Sequence, residues 1–338
     1  MATIKDVAAA AGVSVATVSR VVNNGPKVSA KNRDLVKKVM LELGYRPNAN
    51  ARALVTQTNP TLGLVFSELT DPFFATLAGG VEKVTRNNNI QLLISNGLVS
   101  AESEKRAIET LLEQRCQALV VHSKALSNQA LIDYAEAVPA MVLINRYIPE
   151  IAHRCVWLDN QAGGEAAARH LLAQGHENIA CITSNYDIED PRLRLQGAKA
   201  ALSEHGMPLS EHAIASSDPN EIGGEIAAQN LLARGLDFSA LIVYNDSMAS
   251  GAITVLCDNG YRVPEDVSVI GFDDVLLSRY LRPKLTTMRY PIEMMAMEAA
   301  EMSLALAAGE PVAPIHKYVP TLVKRDSVAV HKQLQNAT

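Results

Sequence analysis

The sequence lacks any apolar segment long enough to cross a membrane. Its longest stretches without a charged residue, 53–67 and 87–101, have 15 residues each and contain polar side chains. A spanning helix needs about 20 mostly apolar residues. The N-terminus is polar, carries Asp6 and has no apolar core of the kind that a secretory signal contains. These absences argue against a membrane or secreted protein, and we expect a cytoplasmic one.

Cysteine is scarce, and the signatures of metal sites and of common enzymes are missing. The four cysteines are widely scattered at positions 116, 155, 181 and 257, which argues against structural disulfides and zinc and favours small buried thiols. The eight histidines show no metal-ligand spacing. The sequence contains no G-x-S-x-G, P-loop, G-x-G-x-x-G or H-E-x-x-H motif. We therefore expect neither an enzyme nor a resident cofactor or metal.

The net charge of -5 conceals a division of the chain. Residues 1–56 hold nine basic and three acidic residues, a net charge of +6, and the remaining residues have a net charge of -11. A basic head on an acidic body predicts an anionic partner for the head alone.

The head, residues 1–46, has the pattern of a helix-turn-helix. Thr3, with an acid three residues later, predicts the N-cap of a first helix that ends at Gly12. Ser14 predicts the cap of a second helix over 15–23, and the short turn between the two helices is typical of DNA-binding motifs. We expect the facing apolar side chains to be Ala8, Val18 and Val21.

A third helix is predicted over 30–43, with Ser29 as its N-cap and Gly44 as its stop. Its apolar stripe consists of Leu35, Val36, Val39 and Leu43.

The outward residues at the start of the second helix suit contacts with bases in the major groove. Arg20 can donate two hydrogen bonds to guanine, and the small side chains of Val15 and Ala16 can pack on a thymine methyl group. Phosphate contacts suit the polar residues at the helix starts and ends, namely Thr3, Ser14, Thr17, Asn23 and Ser29. For Thr17 and Asn23, helix capping or solvation is an equally good interpretation.

Residues 47–58 form a hinge in which 48–54 have a weak helical pattern. A helix this short is marginal alone in water and can become ordered on binding DNA. Leu54 would suit insertion into a minor-groove step, where it would kink the duplex. A plain linker is the alternative interpretation.

The body, residues 59–330, alternates short apolar segments with amphipathic helices. The first set predicts strands over 61–67, 90–96, 118–123 and 140–145, with helices over 72–88, 103–114 and 127–137. The second set predicts strands over 179–184, 240–245 and 267–272, with helices over 161–174, 193–205, 224–233, 247–259 and 292–308. Such alternation predicts an α/β fold of two doubly wound parallel sheets, whose ligands bind at the carboxyl ends of the strands.

Polar residues at these strand ends can line a cleft between the two lobes. Asp, Asn and Arg offer two-pronged hydrogen bonding to vicinal sugar hydroxyls, and an aromatic ring can cover a pyranose face. The candidates are Asp71, Phe73, Phe74, Asn145, Arg146, Asp159, Arg194, Asn245, Asp246, Asp273 and Asp274. For Asp71 and Asp246, helix N-capping is the alternative role.

Together these segments resemble the lactose/galactose repressor family of transcription factors over residues 2–328. The likeness is carried by ATIKDVAAAAGVSVATVSRVVNN, YRPNANARAL, TLGLVFSELTDPFF, VYNDSMASGA, VSVIGFDD and LTTMRYP. VSVATVSRV, PNANARAL, MVLINR and IGFDDVLLSRY fit its galactose branch. The resemblance implies a homodimeric, allosteric repressor of galactose transport and catabolism genes, which binds double-stranded operator DNA and is released by D-galactose or D-fucose.

The resemblance also implies domain boundaries and residue roles. The domains would be a helix-turn-helix over 1–46, a hinge over 47–58, a body over 59–330 and a tail over 331–338. Lobe 1 would take about 59–160 and 290–320, and lobe 2 about 161–289 and 321–330, with an overall fold like that of periplasmic binding proteins. Base reading carries over to Val15, Ala16 and Arg20, and the minor-groove contact to Leu54, with Asn50 and Ala53 beside it. Effector contacts carry over to Asp159, Arg194, Asn245 and Asp273, and more weakly to Asp71 and Phe73.

Two departures and several alternatives accompany the resemblance. Pro219 stands where relatives often have an aromatic ring against the ligand, and residues 329–338 lack the leucine heptads of a four-chain assembly. The effector could instead be another hexose, a pentose or a purine corepressor. A sugar-binding transport or chemoreceptor protein would share the body, but it would need a secretory signal in place of the basic head.

Overall fold

The computed structural model describes residues 2–23, 25–46, 59–313 and 316–331. The predicted hinge, with Asn50, Ala53 and Leu54, lies outside the described residues. The chain divides into two compact units, Met1–Asn59 and Pro60–Thr338.

In the described part of the first unit there are three helices, α1 (Ile4–Ala10), α2 (Val15–Val22) and α3 (Ala30–Glu42). Each predicted N-cap is confirmed. Thr3 forms a reciprocal capping box with Asp6, Ser14 accepts a hydrogen bond from the Thr17 amide, and Ser29 accepts one from the Asn32 amide. These bonds satisfy amides that would otherwise lack partners at the helix starts.

The core of this unit is small. It consists of Val7, Ala8, Ala11, Val18, Val21, Val36 and Val39, so the predicted facing positions on α1 and α2 are confirmed. The predicted stripe of α3 is wrong at two positions, because Leu35 and Leu43 are 40% and 41% exposed. Two short partner helices cover only a narrow seam of α3, which the valines at an i, i+3 spacing fill.

The second unit contains two six-stranded sheets. The first has the order β11-β5-β4-β3-β1-β2 and comprises β1 (Asn59–Phe66), β2 (Gln91–Asn96), β3 (Cys116–Val121), β4 (Met141–Ile144), β5 (Cys155–Leu158) and β11 (His316–Tyr318). The second has the order β12-β10-β9-β8-β6-β7 and comprises β6 (Ile179–Ser184), β7 (Ile214–Ser217), β8 (Ala240–Val243), β9 (Ser268–Asp273), β10 (Thr286–Arg289) and β12 (Thr321–Val323). Apart from the antiparallel β10–β12 pair, the recorded pairings are parallel, and the predicted α/β fold is confirmed.

Helices cover both sheets. They are α4 (Pro72–Asn87), α5 (Ala101–Glu113), α6 (Asn128–Ala137), α7 (Asn160–Ala173), α8 (Glu189–Glu204), α9 (Glu221–Ala233), α10 (Asp246–Asp258), α11 (Leu277–Tyr280) and α12 (Ile292–Ala307). Short 3-10 helices span Pro149–Arg154 and Glu211–Ala213. Helix α8 begins four residues before its predicted start, because Pro191 is tolerated in a first turn, where its missing amide has no helical partner.

The chain passes between the two sheets after β5, after β10 and between β11 and β12. These crossings join two α/β layers whose parallel strands end toward a common cleft, which is where the fold predicts a ligand.

Candidate functional site

A cavity of about 300 Å³ lies at the carboxyl ends of the strands. Such a volume is at the small end of ligand sites. Among the predicted effector residues, it is lined by Asp71, Phe73, Arg194, Asn245 and Asp273. Strand ends of both sheets and the first turns of α4 and α8 supply this lining, so the cavity is a cleft between the two lobes.

Arg194 is held by several acceptors at once. Its Nε donates to Asn160 Oδ1 at 2.9 Å, and its Nη1 donates to the Tyr244 carbonyl at 2.7 Å. The guanidinium carbon lies 3.6 Å from the centre of the Phe272 ring. Gly164 allows this placement, since a Cβ there would lie 1.9 Å from the Arg194 carbonyl oxygen. The guanidinium is therefore fixed before any ligand binds.

Asp273 ends β9 in a backbone conformation that is rare for an L-residue, with φ of 108°. Its Oδ1 lies 3.6 Å from Arg194 Nη2. Burial raises the pKa of Asp273 well above its ordinary value, and the Arg194 charge opposes this shift. A strained residue that supports a buried carboxyl beside a fixed guanidinium is typical of a site built to bind a polar ligand.

Asp71 and Asn245 both line the cavity and both cap a helix. Asp71 Oδ1 accepts from the Phe73 amide at 2.8 Å, and burial raises its pKa. Asn245 Oδ1 accepts from the Met248 amide at 2.8 Å, and its Nδ2 donates to the Pro219 carbonyl at 3.0 Å. The capping role of Asp71 is confirmed, and contact with an effector stays a prediction for both residues.

Asp246 does not cap α10, as the sequence suggested, because Asn245 does. It is instead fully buried and accepts from Thr287 Oγ1 at 2.6 Å and from the Val275 amide at 2.9 Å. Burial raises the pKa of Asp246 to about 7. Asp246 thus ties α10 to β10, next to the point where the chain crosses to the other sheet.

In the head, the predicted base-reading residues lie on the exposed surface of α2. Val15, Ala16 and Arg20 are all exposed, whereas Val18 and Val21 of the same helix are buried. The hydroxyls of Ser14 and Thr17 lie 2.9 Å apart at the helix start. Helix α2 therefore presents two small apolar side chains and one basic side chain on its exposed surface, as a recognition helix does. Thr3, Ser29 and Asn23 are also exposed.

Comparisons with known proteins match both units. Residues 3–48 match bacterial regulatory proteins of the lacI family, and residues 168–328 match a periplasmic binding protein-like domain. The chain is 51% identical over 330 residues to the HTH-type transcriptional regulator GalR of Escherichia coli K12, covering 97% of this chain and 96% of that protein. This chain belongs to the lacI family.

Other relatives agree with this assignment. The HTH-type transcriptional regulator GalS of Salmonella typhimurium LT2 is 49% identical, with 97% of each chain covered. The crystal structure of the lac repressor dimer bound to operator and the anti-inducer ONPF is 28% identical, with a TM-score of 0.87 over 97% of this chain and 99% of that one. The lacI-family chain is thus a helix-turn-helix transcriptional regulator. No helix in its described part is long and apolar enough to cross a membrane.

Several predicted positions lie elsewhere in this lacI-family body. Asp159 caps α7, and its carboxylate pairs with Lys317 at 2.7 Å. Asp159 lines a second cleft of about 310 Å³, together with Arg146. The other five predicted effector residues line the 300 Å³ cavity instead. Asp274 pairs with Arg289 at 2.7 Å and with Arg325. Pro219 does line the cavity, as does Phe74.

His122 is a cavity residue that the sequence did not indicate. It is buried against Phe74, with ring centres 5.0 Å apart, and its Nδ1 has no hydrogen-bond partner among the described residues. Burial lowers its pKa to about 3, so the ring is neutral near pH 7. An unpartnered buried polar atom is costly unless a ligand or water satisfies it. Its place directly after β3, at a carboxyl strand end, is the signal that could have identified it.

Proposed function

We propose that this lacI-family regulator represses genes of galactose transport and catabolism, and that D-galactose or D-fucose bound in the cavity releases it from its operator. The fixed guanidinium of Arg194 beside the Asp273 carboxyl supports this proposal. Two-pronged groups of both signs suit the vicinal hydroxyls of a sugar, which donate and accept at once. The choice of galactose rests on the galactose-branch motifs and on the likeness to GalR and GalS.

The head would read the operator in the major groove. Arg20 would donate to guanine while Val15 and Ala16 contact neighbouring bases. The polar groups of Thr3, Ser14, Thr17, Asn23 and Ser29 would contact phosphates. Two such heads, one from each subunit of a homodimer, would bind the two halves of a pseudo-palindromic operator.

Within the proposed hinge, 47–58, Leu54 would insert into the minor groove with Asn50 and Ala53 beside it. Leu54→Ala should then weaken binding to the operator much more than binding to unrelated DNA, since only the specific complex contains the kinked step. Fluorescence anisotropy on both DNAs at one salt concentration measures this difference. Equal losses on the two DNAs would contradict the wedge.

In the proposed mechanism, a sugar changes the angle between the body's two lobes and separates the paired hinges. A ligand can shift this equilibrium only by its difference in affinity for the two states. Operator DNA must therefore weaken sugar binding by the same factor by which the sugar weakens operator binding, on the order of 5–150-fold for ordinary coupling.

The test is a titration of the protein into labelled operator DNA with galactose, fucose, ribose or guanine present. Galactose or fucose should lower operator affinity at least fivefold, and ribose and guanine should not. Unchanged affinity with saturating galactose would refute galactose as the inducer. Tighter binding with guanine would point to a purine corepressor instead.

A further inference from the structure

Three residues form a buried polar clasp across the cleft. Lys124 Nζ donates to Asp190 Oδ1 at 2.9 Å and to the Asn145 carbonyl at 2.6 Å, and Asn145 Nδ2 donates to Asp190 Oδ2 at 2.9 Å. Lys124 and Asn145 follow β3 and β4 of the first sheet, whereas Asp190 lies in the first turn of α8, which packs on the second. The Lys124 and Asp190 side chains are only 5% and 8% exposed.

The clasp is anchored on its first-sheet side by a second buried carboxylate. Glu104 of α5 accepts from the Lys124 amide at 2.9 Å, from the Ala125 amide at 3.0 Å and from the Leu126 amide at 3.0 Å. It also accepts from Ser123 Oγ at 2.5 Å. The loop that carries Lys124 is thus fixed along its length, so the clasp cannot move without breaking several bonds.

The clasp separates two clefts. Asn145 and Asp190 line both the 300 Å³ cavity and the 310 Å³ second cleft. The second cleft contains the paired rings of Tyr147 and Trp157, whose centres are 4.7 Å apart, and the carboxylate of Asp159. An aromatic face beside polar groups is suited to a sugar ring, so the two clefts joined together would accept a longer sugar than the cavity alone.

We propose that the clasp of Lys124, Asn145 and Asp190 is the end wall of the effector cavity and limits the effector to a single sugar ring. The assignment rests on the proposed sugar-binding function and adds the selection by size. A second sugar ring would have to occupy the space that these three side chains fill. The wall cannot move aside to admit it, because Glu104 fixes the loop of Lys124 and the bonds within the clasp fix Asp190. We expect a disaccharide to bind at least about 100-fold more weakly than galactose, because its second ring would meet closely packed side chains.

Two variants open the wall and one matched control does not. Asn145→Gly removes a wall side chain and suits the backbone there, since φ is 56°. The Lys124→Ala, Asp190→Ala double variant removes both charges together with their volume. The Lys124→Met, Asp190→Asn double variant removes the charges but keeps the volume of the side chains, so it should still exclude a second sugar ring.

The measurement is calorimetric titration of the full-length protein with galactose and with lactose, a galactose-containing disaccharide. The ratio of lactose to galactose Kd should fall at least about tenfold in both opened variants and stay within about threefold in the control. An unchanged ratio in Asn145→Gly and in the double alanine variant would overturn the proposal. So would an equal fall in the control, because charge and not volume would then exclude the disaccharide. Thermal unfolding identifies variants that fail to fold.

A crystal structure of ligand-free Asn145→Gly separates this proposal from the choice of effector. If wild type binds no galactose, the proposed effector fails, yet the wall still predicts one continuous cleft in the variant. If the two clefts stay separate in the Asn145→Gly structure, the clasp is not the end wall of the cavity, whichever effector binds.

Discussion

Arg194→Met removes the guanidinium that makes the polar contacts of Arg194 beside the cavity. The guanidinium now donates to Asn160 at 2.9 Å and to the Tyr244 carbonyl at 2.7 Å, and it lies 3.6 Å from a carboxyl oxygen of Asp273. Methionine matches the length of the aliphatic part and can still pack on the Phe272 ring. The substitution therefore isolates the loss of charge and of hydrogen bonds from the loss of volume.

The expected loss of stability follows from the groups that Arg194→Met leaves without partners. The substitution leaves the Asp273 carboxyl without its cation and two buried acceptors without donors. Breaking a buried ion pair from one side costs about 3–5 kcal/mol. For a unit of the size of Pro60–Thr338, such a loss lowers the Tm by roughly 5–9 °C. Adding Asp273→Asn to Arg194→Met removes the unpaired carboxyl, and the double variant should regain about 1–3 kcal/mol of this loss.

Differential scanning calorimetry on wild type, both single variants and the double variant measures this coupling directly. Galactose titration of Arg194→Lys gives the functional counterpart. Lysine keeps the charge but lacks the planar fork, so we expect at least about a tenfold loss of affinity. A Tm of Arg194→Met within 1 °C of wild type, or unchanged galactose affinity in Arg194→Lys, would refute the role given to this residue.

Three further predictions concern other groups. Burial raises the pKa of Asp246 in the folded protein to about 7 from 3.8, so this carboxyl lowers the free energy of unfolding as pH rises. Asp246→Asn should remove about 3 kcal/mol of the decline in that free energy between pH 5 and pH 8, measured by urea unfolding. Parallel pH profiles for wild type and variant would contradict this. Glu104→Gln should lower the free energy of unfolding by about 1–3 kcal/mol, because an amide cannot accept from every donor around it. The matched control Glu109→Gln, at an exposed position, should change this free energy little. Equal effects of the two substitutions would contradict the anchoring role of Glu104. Arg20→Met should cost about 1–3 kcal/mol in operator binding, with little change on unrelated DNA. Lys37→Met removes an exposed positive charge of α3 and should weaken binding to both DNAs alike, because it changes only the attraction to phosphates; the reverse pattern in anisotropy titrations would refute base reading by Arg20.

Strands buried between two layers could be predicted from sequence alone. The apolar segment 179–184 is β6 to the residue, because a strand covered on both faces reads as a continuous apolar run. The four-residue strands Cys155–Leu158 and Ile214–Ser217 were not predicted. They have no distinctive pattern of their own, and pairing with neighbouring strands defines them.

The cavity residues that lie at the carboxyl ends of predicted strands could be predicted from the sequence, because such ends meet at one edge of each sheet. Asp273, Asn245 and Asp71 follow or end predicted strands, and the fold brings them together. The clasp was not predictable, since Lys124 and Asp190 lie 66 residues apart and look like ordinary surface charges in the sequence. Their pairing depends on how two lobes meet, which local patterns do not encode.

In the proposed mechanism, sugar binding in the body and operator binding by the head oppose each other. The most direct test measures the Kd for galactose twice, on the free protein and on the protein saturated with operator DNA. Reciprocity predicts a weaker Kd on the DNA complex, by the same factor by which saturating galactose weakens operator binding. Equal galactose affinities in the two states would contradict the claim.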